Sequence, residues 1–164
     1  ECNMEIIKQL YDINRLFENV DDFGPAYESF LKVSNVELGY RGLEGRLSEF
    51  FEDVRQTAIC IATRGQAGNG DIQFFMSGIK RVKSFMYQEK YQIEEAITDA
   101  SRAAYLATCF EKGILEIEKY PKENPKVVLD MSISEILPTK LRKLRNVIPE
   151  AYYYWAKVDE VMQY

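Results

Sequence analysis

A chain of 164 residues, 46% hydrophobic and 29% charged, has the length of one domain and enough apolar material for a core without disulfides or a metal. Its net charge of −5 works against general adhesion to nucleic acid or to anionic lipid. It contains no histidine, which removes Ser–His and Cys–His nucleophile pairs, His-based zinc and di-iron sites, proximal-His haem and imidazole pH switches.

Apolar residues recur every three or four positions along nearly the whole chain, the period of a helix. Ile6, Leu10, Ile13, Phe17 and Val20 predict one stripe on a helix over 3–19. Asp21-Asp22-Phe23-Gly24-Pro25 breaks it, and Pro25 suits the first turn of a shorter helix over 25–36 with Phe30 and Val33 inward. Gly39-Tyr40-Arg41-Gly42 reads as a turn. A helix over 43–63 sets Leu47, Phe50, Phe51, Val54, Ala58, Ile61 and Ala62 on one side, with Glu44, Glu49, Glu52 and Asp53 on its flanks. Gly65 to Gly70 is a flexible connection, and Asp71 caps the next helix, whose stripe is Ile72, Phe75, Met76, Ile79, Val82 and Met86.

Residues 91–119 form the longest periodic segment, carrying Ile93, Ile97, Ala100, Ala104, Ala107, Phe110, Ile114 and Ile117. Its Ala-rich middle lets a neighbouring helix come close. Pro121, Pro125, Pro138 and Pro149 then segment the last third into a loop over 120–130, short helices over 132–137 and 139–147, and a final helix from about 149 to 163. No segment alternates with period two, and none approaches the roughly 18 apolar residues of a membrane span. The expected fold is all-α and a single domain over 1–164. Four long helices form a bundle within 3–119, with a short helix after residue 24, and a Pro-rich connection with short helices covers 120–164.

Cys2, Cys60 and Cys109 include no CxxC pair. Free thiols in a reducing compartment are the main expectation, with a Cys60–Cys109 bridge in a secreted protein and an intermolecular bond through Cys2 as the alternatives. The chain does not begin with Met, so a processed product or a fragment is expected, and its compartment is not readable.

Tyr152, Tyr153, Tyr154 and Trp155 are consecutive on the last helix. At about 100° per residue they fan around most of it, more than one core face is expected to take. With Phe74 and Phe85, on a second side of the fourth helix, they are the candidate protein-binding residues, since Tyr and Trp anchor protein contacts at small entropic cost. A thick aromatic core is the competing expectation. Lys80, Arg81 and Lys83, with Lys140, Arg142, Lys143 and Arg145, form two basic clusters. Brought to one side they would make an anion or nucleic-acid contact, with Tyr87 and Tyr91 to stack on bases; otherwise they neutralise the acidic first third.

The carboxylate groups Glu49, Glu52, Asp53 and Glu94, Glu95, Asp99 read as solvated helix faces rather than an acid–base pair. Arg64–Asp71 holds three glycines but lacks the GxxxxGK[ST] pattern of a phosphate cradle, so it reads as a plain connection. No cofactor and no metal are expected. The expected function is a non-enzymatic helical protein–protein interaction module or assembly subunit, binding a protein partner or itself. A nucleic-acid accessory protein is the first alternative, and a carrier of an apolar ligand beside the Ala-rich segment the second.

Overall fold

The computed structural model describes residues 2–42, 46–84 and 90–164, and all regular structure among them is helical. The helices are α1 (Cys2–Asn19), α2 (Gly24–Tyr40), α3 (Leu47–Ala62), α4 (Ile72–Lys83), α5 (Ile93–Glu111), α6 (Leu144–Val147) and α7 (Pro149–Met162). Two 3-10 turns, Pro125–Leu129 and Thr139–Lys143, punctuate the tail. Among the described residues no helix is long and apolar enough to cross a membrane.

α5 is the axis. α3, α7 and α1 pack against it, and α4 packs mainly on α1. The small side chains of Ala96, Ala100 and Ala104 are buried, as the Ala-rich sequence implies. At the N-terminus of α5 the Glu95 carboxylate accepts a hydrogen bond from the Gln92 backbone N–H at 2.9 Å, satisfying one of the unpaired amides there. The α5 helix is shorter than its periodicity predicts. It stops at Glu111 because Gly113 takes a left-handed φ of +68°, and the Ile114 N–H turns back to the Cys109 carbonyl at 2.8 Å. Ile114 and Ile117 therefore leave the helix.

Four further expectations change. α2 is not short: it runs on to Tyr40, taking in the first two of the four residues read as a turn, and Arg41 and Gly42 make the turn. The buried face of α1 is rotated from the predicted stripe. Asn3, Ile7, Asn14 and Phe17 are inside, whereas Ile13 is 41% exposed. Asn3 and Asn14 sit inside because each amide oxygen accepts a hydrogen bond from an arginine on another helix, Arg81 and Arg102 respectively. Residues 132–137 form no helix. The Ser134 backbone N–H and hydroxyl both donate to the Asp159 carboxylate, at 3.0 and 2.7 Å, which replaces the helical bonding. The helix predicted over 139–147 divides into the second 3-10 turn and α6. The starts and ends predicted at 43–45 and at Met86 lie outside the described residues.

Candidate functional site

The four consecutive rings of α7 do not form a contact surface. Tyr152, Tyr153, Tyr154 and Trp155 are all buried, with Trp155 at 0% exposure. The reason is the Pro-segmented tail, which folds back over the side of α7 that α5 leaves open. The Tyr154 hydroxyl accepts from the Tyr120 N–H at 3.0 Å, and the Tyr120 ring stands edge-on to Tyr153 at 5.5 Å. The Tyr152 hydroxyl donates to the Met131 carbonyl at 3.1 Å and accepts from Arg145 at 2.6 Å. Tyr154 also meets Phe17 of α1 at 5.4 Å and Tyr105 of α5 at 5.8 Å. α1, α5 and the tail thus surround one helix, and the expected docking residues are core. Phe74 is half-buried against Phe75 at 5.7 Å. Phe85 and Tyr87 lie outside the described residues.

The basic clusters stay on different parts of the fold. Lys80, Arg81 and Lys83 sit on α4, which packs on α1, whereas Lys140, Arg142, Lys143 and Arg145 belong to the turn and helix packed on α7. Several of these cations already serve structure. Arg81 donates to Asn3, Arg142 to the Ile133 carbonyl, and Arg145 to the Met131 carbonyl while lying 4.8 Å over the Tyr152 ring. Lys80, Lys83, Lys140 and Lys143 are exposed.

The glycine loop between α3 and α4 packs rather than cradles. A Cβ at Gly68 would stand 2.4 Å from the Gln56 carbonyl, and the Asn69 N–H donates to that same carbonyl at 3.1 Å. The Asp71 carboxylate takes the α4 amides of Gln73 and Phe74. Cys60 and Cys109 are both buried and both free, so the alternative of a bridge between them is not realised. Among the described residues no cluster of three or more Cys, Asp or Glu could hold a metal ion.

Of the carboxylates read as solvated, Asp99 is not: it is 4% exposed. It lines a cleft of about 700 Å3 between α1, α5 and the start of α7. The Tyr91 hydroxyl donates to Asp99 at 2.8 Å. Burial pushes the Asp99 carboxyl up to about 7, against the opposing pull of Tyr91 and Arg102. One turn along, Arg102 donates to Asn14, to Glu18 at 3.0 Å and to Glu150, with the rings of Phe17 and Tyr154 5.8 and 5.7 Å from its guanidinium. Burial works against the Arg102 charge, but Glu150, Tyr154 and Glu18 outweigh it and raise its pKa. Chemically, Asp99 can carry a proton near neutral pH. Structurally, the network ties α1, α5 and α7 together at one point, with most of its polar atoms turned on one another.

A different surface is left open, and sequence reasoning missed it. None of the residues of α2 is buried. Its first half is held by rings, Tyr27 to Phe110 at 5.1 Å and Phe30 to Phe50, Phe51 and Phe110 at 5.6, 5.5 and 5.8 Å. Beyond Phe30, the second half exposes Val33 (62%), Val36 (55%) and Tyr40 (85%). Between this half and the start of α3 lies a groove of about 760 Å3, walled by Phe30, Val33, Leu38, Leu47 and Phe50. Glu37, Arg41, Arg46, Glu49 and Asp53 stand around it. Val33, which the spacing placed inward, is therefore exposed, and the available signal was Tyr40, which continues the spacing of Val33 and Val36 past the predicted end of the helix at 36.

Compared with models of known protein families, with curated proteins and with solved structures, the chain finds no match.

Proposed function

We propose that this chain is a non-enzymatic protein-docking module whose contact surface is the α2–α3 face. The observation that carries the proposal is the second half of α2, a run of helix whose Val33, Val36 and Tyr40 stand in water beside an apolar groove. An isolated helix of this length is marginal in water, and packing of an apolar face normally supplies the missing stability. Covering that surface removes apolar area from solvent at roughly 25 cal/mol per Å2. Tyr40 and Phe50 are ring anchors of the type that dominates protein contacts. A nucleic-acid role has less support, because the two basic clusters sit on separate packing units and three of their arginines already hold other groups. The apolar-carrier role has less as well: Ala100 and Ala104 are closed over by neighbouring side chains.

The test is site-specific photo-cross-linking in extract of the source cells. A cross-linker at Val36 is expected to give a discrete protein adduct that untagged chain competes away and Val33→Glu abolishes. The same group at Lys122, exposed on the tail, should give none. Adducts at both positions or at neither would overturn the proposal.

A further inference from the structure

We infer that the occupant of the α2–α3 groove is a second copy of this chain, the Val36–Tyr40 end of each α2 seated in the groove of the other. The inference rests on the docking function proposed above and adds the identity of the partner.

Shape supplies the first reason. A two-fold contact uses one patch on both copies, so the patch must be complementary to itself, with a projecting part and a receiving part side by side. This face has both. Tyr40, at 85% exposure the most exposed ring on it, projects from the end of α2. The groove walled by Leu38, Leu47 and Phe50 lies next to it.

Charge supplies the second. The chain carries −5 overall, and residues 1–64 hold 12 Asp and Glu against 7 Lys and Arg, so most faces of this third would repel their own image. The groove rim is the exception. Glu37, Glu49 and Asp53 stand there together with Arg41 and Arg46. Arg41 lies 3.7 Å from Glu37 and Arg46 3.5 Å from Glu49, all four side chains more than half exposed. Such loose pairs exchange partners across an interface without stranding a buried charge. A partner of uniform sign would meet its own charge on half of this rim; a second copy brings both signs.

Sedimentation equilibrium over roughly a hundredfold range of concentration tests this on the intact chain, since a dimer's population follows mass action. A monomer–dimer equilibrium is expected. Val36→Glu and Tyr40→Ala, both at solvent-exposed positions, should abolish it while leaving in place the circular dichroism melt of the chain diluted to monomer. Arg41→Glu and Glu49→Arg should each weaken it, and an equimolar mixture of those two variants should recover dimer if the rim charges meet across the interface. A chain that is monomeric at every concentration overturns the second-copy inference alone, because the cross-linking experiment reads a different partner independently. A dimer that survives both Val36→Glu and Tyr40→Ala uses another face and overturns this inference, while the docking function stands or falls on the cross-linking experiment.

Discussion

The Tyr91 hydroxyl donates a 2.8 Å hydrogen bond to the Asp99 carboxylate, and both residues are almost wholly buried. This bond joins the segment entering α5 to the helix itself, at a buried carboxylate whose titration makes the fold respond to pH. Burial lifts Asp99 from an ordinary 3.8 to about 7 in the folded chain, so the folded state binds the proton more tightly than the unfolded state. The contribution of Asp99 to stability is therefore complete below about pH 3.8, declines as pH rises, and levels off above about pH 7. Asp99→Asn keeps an acceptor for Tyr91 and removes the titration. Urea unfolding from pH 4 to 8 should show that this part of the slope is lost in the variant, which matches or exceeds the parent at pH 8.

Arg102 joins three helices through Asn14, Glu18 and Glu150. Arg102→Ala strands those partners and should cost about 3–5 kcal/mol in denaturant unfolding. Arg102→Lys should recover only part of the loss, because an ammonium cannot reproduce the planar fork that reaches several acceptors.

Core and contact surface are separated by a paired comparison. Trp155→Ala should cost about 3–5 kcal/mol, as for a large buried ring. Tyr40→Ala should stay within about 0.5 kcal/mol in dilute protein, as for an exposed side chain. Equal costs would contradict the assignment of α7 to the core and of α2 to the surface.

α1 and α4 meet at Gly78, where a Cβ would stand 2.4 Å from the Asn3 carbonyl and 2.8 Å from Ile7. Gly78→Ala should push the helices apart at a cost of about 1–3 kcal/mol, despite the better helix propensity of Ala. Thermal unfolding reads this directly.

Thiol chemistry follows burial. Cys2 is exposed, whereas burial raises the thiol pKa of both Cys60 and Cys109, the latter to about 12. A thiol reagent at pH 8 should modify Cys2 alone in the native chain and all three cysteines in denaturant, counted by intact mass.

The all-helical fold was legible because a three-and-four spacing of apolar residues has one common structural cause. Rotation about the helix axis was less so. Ile6 and Ile13 look like core beside Asn3 and Asn14, and only an arginine contributed by another helix makes the asparagines the inner residues. Gly113 carried a readable stop signal, but Ile114 and Ile117 kept the helical spacing beyond it and concealed the end of α5. An aromatic core was one of the two expectations for the rings of α7, but that it encloses all four was not readable, since the tail that covers them carries no motif of its own. The open half of α2 was concealed by Gly39 and Gly42, which suggested a turn where Gly39 instead continues the helix.

Amide hydrogen exchange of the free chain against its complex tests the central claim most directly. Residues 33–40 should exchange quickly in the free chain and slow on association, while 149–162 should be slow in both, because their rings are already enclosed. Unchanged exchange at 33–40 together with new protection at 149–162 would contradict it and return the contact surface to the last helix.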